Sequence, residues 1–288
     1  MTLIGTLDVG GTHVTAALVD ASAQLVGERS RVPVESLGDA DSILDSYAAA
    51  ARPLLRDEVT AWGIAMPGPF DYKKGIGLFH GVGKYEALYN FDVRTALAQR
   101  LGAGAAVLHF VNDADAFTLG EALQRGVDRL VGITLGTGIG SGWVAGGTAC
   151  IDGAGVPPGG RINDPTVPGS DIEKRISRRV IRGAYAEATG MDLDVRAIAE
   201  RARGGEDAAI SVLSTAFRAL GAELGPRLRD FQAELLVLGG SMAASWDVFE
   251  GWFRDGASGT SSTIACQIAV SDDPERSALL GAALSARP

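Results

Sequence analysis

Apolar residues run in short blocks, broken by glycine or polar turns, from the first residues onward. Residues 3–9, 14–19 and 24–34 read as three strands linked by tight turns, an antiparallel meander. The period then changes: between Asp41 and Leu55, residues Ile43, Leu44, Tyr47, Ala48 and Ala51 fall on one side of a helix. Trp62 to Met66 is a short buried strand stopped by Pro67-Gly68-Pro69. Residues 70–90, rich in Gly, Lys and aromatics, show no clear period and read as an exposed loop or lid. Val93 to Leu101 reads as a helix, residues 106–111 as a buried strand and Ala116 to Arg125 as a helix.

The second half repeats the opening. Arg129 to Leu135 is a strand, residues 136–142 form a glycine-rich turn, and Trp143-Val144-Ala145 begins the next strand. After a loop over 152–170 come helical stretches at 171–189, 194–203 and 206–230. Strands at 234–238 and 263–270 follow, then a closing helix from Ser277 to Ala286. A strand–glycine turn–strand unit therefore occurs twice, near residues 10 and 139. The economical architecture is two α/β lobes facing each other across a cleft, one of residues 1–112 with 275–288, the other of 113–274.

Composition narrows the class of partner. The 288 residues are 46% hydrophobic and 21% charged, as in a soluble globular protein. A net charge of −9 argues against nucleic acid or an anionic membrane as the main partner. Two cysteines, Cys150 and Cys266, cannot build a disulfide framework or a four-cysteine metal site. No basic leader and no run of roughly 18 apolar residues occurs, so a cytoplasmic location is expected.

The turns carry the candidate chemistry. In Asp8-Val9-Gly10-Gly11-Thr12 the glycines let backbone N–H groups approach an anion. Thr12 adds a hydroxyl, and Asp8 puts a carboxylate where a phosphate-bound Mg²⁺ could sit, directly or through water. Gly136-Thr137-Gly138-Ile139-Gly140 is a second such turn. No helix opens directly after its glycines and no Walker lysine follows, so neither a dinucleotide fingerprint nor a P-loop fits. Two anion-cradling turns suit the polyphosphate chain of ATP. A third strand ends in Gly239-Gly240, where a flat ring can lie close to the backbone or a plain strand-to-helix turn can form. Asn112-Asp113 lies between a strand and a helix. Asp113 there is either a base that accepts a proton from a substrate hydroxyl or a helix cap. His13, His80 and His109 are not spaced as metal ligands.

Together these segments resemble the ROK family of sugar kinases and related repressors. The match lies in Asp8-x-Gly10-Gly11-Thr12, Pro67-Gly68-Pro69, Asn112-Asp113-Ala114-Asp115-x₄-Gly120-Glu121, Gly136-Thr137-Gly138-Ile139-Gly140-Ser141-Gly142 and Leu238-Gly239-Gly240. The resemblance runs from about residue 3 to residue 285. It implies the two-lobed, actin-like (ribonuclease H-like) ATPase fold of the α/β class. It also implies transfer of the γ-phosphate of MgATP to a hexose hydroxyl, usually the 6-OH, with Asp113 as general base. Gly68, Asn112, Asp113 and Glu173 would face the sugar, and a homodimer would be expected.

The departures are local. The family usually follows its second turn with Gly-Glu-x-Gly-His, whose Glu and His hold the sugar and whose His joins three cysteines around a zinc ion. Here the stretch is Gly160-Arg161-Ile162-Asn163-Asp164, with Arg161 for the Glu and Asp164 for the His, and the cysteines are missing. No zinc is expected. Arg161 only donates where Glu accepts, so the pocket would present an altered pattern to a hexose or amino sugar; alternatively, Arg161 and Asp164 pair with each other or face solvent. Two rivals stand beside the ATP-dependent kinase: a non-catalytic sugar-binding or regulatory protein, and a polyphosphate-dependent kinase.

Overall fold

The computed structural model describes residues 3–20, 22–102, 107–136, 138–163, 172–259 and 265–287. The chain divides into two compact units, 1–124 with 273–288, and 125–272.

In the first unit, β1 (Leu3–Val9), β2 (His13–Asp20) and β3 (Leu25–Pro33) form the expected antiparallel meander. β4 (Val59–Met66) and β7 (Leu108–Asn112) extend it as parallel neighbours, giving the order β3-β2-β1-β4-β7. Strand alternation sorts the residues between two faces. Leu3, Leu7, Val9, Val14, Ala16, Leu18, Ile64 and Phe110 pack into the core shared with α1 (Ala40–Ala51) and α2 (Val93–Leu101). The opposite face, with Ile4 and Val19, receives α9 (Pro274–Ser285). That helix lies very close to the sheet: a Cβ on Gly63 would come within 1.9 Å of the Ala282 carbonyl oxygen. Asp8 and Thr15 share this second face by alternation.

α3 (Asp113–Arg125) packs on α9 through small residues, since a Cβ on Gly120 would meet Ser277 and one on Gly281 would meet Ala116. That packing sets α3 in the first unit, so the division falls after the helix, at 124/125, and not at 112/113.

The second unit repeats the plan. β8 (Leu130–Leu135), β9 (Ile139–Ala145) and β10 (Thr148–Ala149) are antiparallel, β11 (Leu235–Gly239) and β12 (Gln267–Val270) are parallel to β8, and the order is β10-β9-β8-β11-β12. Its core is built with α5 (Arg178–Thr189), α6 (Val195–Arg203), α7 (Asp207–Asp230) and α8 (Trp246–Ser258). Within it Phe217 stacks on Phe249 at 3.9 Å between ring centroids.

Several boundaries differ from the sequence reading. β9 begins at Ile139, inside the stretch read as turn, because Leu135 pairs with Ile139 and closes the hairpin around three residues. Gly140, Ser141 and Gly142 continue as strand; their small side chains hide the β pattern. The helix expected over 171–189 breaks at Ser177, whose extended backbone and hydroxyl cap α5 and leave α4 (Glu173–Ile176) separate. α8 was not anticipated. Within 70–90, β5 (Phe70–Asp71) and β6 (Ile76–Gly77) pair as a small ribbon.

Candidate active site

Asp8 stands at the carboxyl end of β1. Its row runs across the sheet from Thr15 on β2 to Ala65 on β4 and Val111 on β7. Gly68, Asn112 and Asp113 follow directly from the ends of β4 and β7, so the strand register gathers four predicted residues at one edge. Burial pushes the Asp8 carboxyl up to about 7, with the charges of Asp113 and Glu275 adding to the rise and Arg31 opposing it. Glu275, at the start of α9, accepts from the Thr15 hydroxyl at 2.8 Å and from Arg29 at 3.0 Å.

The glycine turn between β1 and β2 is closed by the Gly10 N–H, which donates to the His13 carbonyl at 2.9 Å. The carbonyl of Thr12 accepts from the Val34 N–H at 2.9 Å. Tyr85 donates its phenol to the carbonyl of Gly10. Burial, with Asp8 nearby, pushes that phenol up to about 12, so it remains a donor near neutrality.

Two readings were open for Asp113, and the cap belongs to its neighbour. Asn112, 6% exposed, accepts on Oδ1 from the Ala114 N–H at 3.0 Å and the Asp115 N–H at 3.3 Å, the pattern of an N-cap residue. Its amide donates to the Tyr72 hydroxyl at 2.9 Å, which in turn donates to the Met66 carbonyl at 3.3 Å. Asp113 takes the first helical position, its Oδ1 2.8 Å from the Ala114 N–H. Gly68 lies beside this network: a Cβ there would be 3.4 Å from the Tyr72 hydroxyl.

In the second unit the two glycine segments meet. The hairpin is closed by Gly136 N–H donating to the Gly138 carbonyl at 3.0 Å. Gly239 pairs with Thr134 in parallel register, and Met242 N–H donates to the Leu135 carbonyl at 3.1 Å. Gly240 has φ +84°, and a Cβ there would sit 2.3 Å from the Leu135 oxygen; only glycine fits. The Glu173 carboxylate rests against Gly138, 3.3 Å from where a Cβ would be, and accepts from the Asn163 amide. Arg161 donates to the Ser141 carbonyl at 2.9 Å, while the Ser141 hydroxyl donates to the Gly160 carbonyl and accepts from the Ile162 N–H. The departing segment is thereby fastened along β9. Thr137 and Asp164 lie outside the described residues.

Sequence reasoning passed over Glu275, Arg31, Tyr85, Tyr72 and Asn163. The Asp273-Pro274-Glu275 start of α9 is a recognisable helix N-terminus, but its placement beside Asp8 is purely tertiary. His80 is exposed against Tyr89, and His109 is half-buried in β7. Among the described residues no three His, Cys, Asp or Glu side chains converge as a metal-holding group.

The ROK family model matches residues 4–287. The chain belongs to the ROK family. Two relatives are similar over most of their length. The Thermotoga maritima glucokinase is 26% identical over 88% of this chain and 86% of its own. The N-acetyl-D-glucosamine kinase of Pectobacterium atrosepticum is 29% identical over 84% and 85%. Among solved structures, the ROK hexokinase from Thermus thermophilus has a TM-score of 0.78 at 24% identity, covering 99% of this chain and 97% of that one. A Streptomyces griseus ROK family glucokinase, solved with glucose and AMPPNP, has a TM-score of 0.75 at 24% identity, covering 98% of each chain. The fold is the α/β, actin-like ATPase fold of the ROK sugar kinases.

Proposed function

We propose that this ROK protein is an ATP-dependent sugar kinase acting on a hydroxyl, the 6-OH by preference, of a hexose or N-acetylhexosamine. The observation that carries the reading is the strand-end cluster of Asp8 and Asp113 beside the Gly10–Thr12 turn. It combines an anion-accepting backbone, a carboxylate suited to a cation and a second carboxylate relieved of the capping duty by Asn112. The kinase relatives support the same class of reaction.

In this reading the acceptor hydroxyl attacks the γ-phosphorus, the bond to the β,γ-bridging oxygen breaks, and Asp113 takes the hydroxyl proton. With the Gly10 N–H closing the turn, the N–H groups of Gly11 and Thr12 would face the charge that develops on the phosphoryl oxygens. Asn112 fixes the start of α3 and hence the position of the Asp113 carboxylate. Gly136, Gly138 and Gly140, with Gly239 and Gly240, give the nucleotide a backbone surface without side chains. Glu173, held by Asn163, receives sugar hydroxyls.

Mg²⁺ fits beside Asp8: burial and the charges of Asp113 and Glu275 raise the cost of ionising that one carboxyl, and a cation would relieve it. Asp8 would hold the ion together with donor phosphates and water, as Mg²⁺ sites with one or two carboxylates do. Bound there, it would supply charge neutralisation for the phosphates.

An assay of ADP release across glucose, mannose and their N-acetylamino derivatives tests the proposal. ADP formed with at least one sugar is expected. Sugar binding with no ADP release would instead favour a regulatory protein, and sugar phosphate formed from polyphosphate but not from ATP a different donor.

A further inference from the structure

The glycine turn carries basic groups that the motif does not announce. His13 and Thr15 follow the turn on β2, and Arg31 on β3 is the cross-strand partner of Thr15, itself opposite Asp8. One guanidinium nitrogen of Arg31 lies 2.7 Å from His13 Nε2, and Thr12 Oγ1 lies 3.0 Å from His13 Nδ1. The chemistry orders this chain. Arg has no acceptor and stays protonated, so Arg31 donates and Nε2 accepts. A neutral imidazole that accepts on Nε2 carries its proton on Nδ1, which therefore donates to the Thr12 oxygen. The Thr12 hydroxyl hydrogen is thus directed away from His13. Burial and the Arg31 charge both hold the His13 pKa below its usual value, which keeps the ring neutral.

Arg31 is also only loosely committed. Glu275 is engaged by Thr15 and Arg29 at 2.8 and 3.0 Å, while its distance to Arg31 is 3.7 Å. The Arg31 side chain remains 59% exposed.

Building on the kinase reading, we propose that Arg31, His13 and Thr12 form a donor chain that binds the terminal phosphate of a nucleoside triphosphate. Arg31 offers forked N–H groups, and the Thr12 hydroxyl, oriented through His13, offers one more. A guanidinium and a phosphate match as a charged, two-point pair.

Calorimetric titration of wild type, Arg31→Ala, Arg31→Lys and His13→Ala with ATP, ADP and AMP in the presence of Mg²⁺ tests this, with unfolding midpoints measured alongside. Arg31→Ala is expected to weaken ATP by about tenfold, ADP less, and AMP not at all. Arg31→Lys should fall between, because it keeps the charge and loses the fork. His13→Ala should follow Arg31→Ala in direction. Equal losses for all three nucleotides would mean that Arg31 only shapes the turn, and unchanged ATP affinity would remove it from the site; either result overturns the proposal. If the wild type binds nucleotide and phosphorylates sugar while Arg31→Ala matches it, the donor chain alone fails. If the wild type binds no nucleotide, the kinase reading fails with it.

Discussion

Asp113 raises the cost of ionising Asp8, the two carboxylates lying at the ends of parallel strands in one sheet. Burial contributes most to that cost, and Glu275 adds to it. The sign of the consequence follows from proton linkage. Between the ordinary value of 3.8 and about 7, folded Asp8 keeps a proton that the unfolded chain gives up. Stability from this group is therefore whole at low pH and declines as pH rises through that window. Asp8→Asn, which cannot ionise, should unfold at a higher temperature than wild type by a margin that grows across the window and levels off above it. Thermal unfolding at a series of pH values measures the margin; one that stays flat would show that the Asp8 charge is well solvated.

If Asp113 takes the hydroxyl proton as proposed, Asp113→Asn removes that acceptor while keeping shape and most hydrogen bonding. With the cap of α3 on Asn112, the helix should survive the change. The expected result is a loss of about 10² to 10⁴ in kcat with the KM for ATP nearly unchanged. Steady-state kinetics with the best sugar measure it, and turnover within a few-fold of wild type would give the proton to another group.

The Asp8 row illustrates what the sequence made legible. The two glycine turns, the meander of β1–β3 and the doubled strand–turn–strand plan are all local patterns of period and punctuation, and the structure reproduces them. Gly140 to Gly142 misled for a local reason too, since small residues at strand positions mimic a turn. The partners of the motif residues were not legible. Glu275 reaches Thr15 across 260 positions of sequence, and Tyr85 reaches Gly10 across 75. Such contacts depend on which strands pair and which helix covers them. The capping of α3 by Asn112 in preference to Asp113 was likewise a choice between adjacent residues that only backbone geometry decides.

Tyr85 tests how much the long-range support of the glycine turn matters. Its phenol donates to the Gly10 carbonyl, and its own N–H donates to the Ser36 carbonyl at 2.6 Å. Tyr85→Phe keeps the ring within its aromatic contact with Phe79 and deletes one hydrogen bond. Stability should fall by about 1 kcal/mol. Because the lost bond sits on the Gly10–Thr12 turn, the KM for ATP should rise a few-fold while the KM for sugar holds if that turn binds the phosphates as proposed. A stability loss with both constants unchanged would make Tyr85 purely structural.

Gly240→Ala addresses the second unit. The new Cβ would lie 2.3 Å from the Leu135 oxygen and 2.8 Å from its carbonyl carbon, on backbone with φ +84°. Backbone in that region costs a side chain about 1 to 3 kcal/mol before the clash is counted. The turn after β11 must shift away from β8, and nucleotide affinity should fall along with stability. Denaturant unfolding and ATP titration of the variant measure both. Retained affinity in a destabilised protein would separate Gly240 from the nucleotide surface.

The segment that departs from the family pattern gives the sharpest test of sugar recognition. Arg161 is tied to the Ser141 carbonyl, whereas Asn163 donates to the carboxylate of Glu173 beside Gly138. Asn163→Ala leaves Glu173 in place but without that donor to orient it. If Glu173 receives sugar hydroxyls, the KM for sugar should rise by about tenfold, the cost of a loosened charged hydrogen bond. The KM for ATP should not move. Arg161→Glu should instead lower stability, because the Ser141 carbonyl loses its donor and a carboxylate is brought towards it. Measuring both variants on the same sugar panel separates the two effects. A sugar KM that ignores Asn163 but follows Arg161 would transfer the recognition role from Glu173 to Arg161.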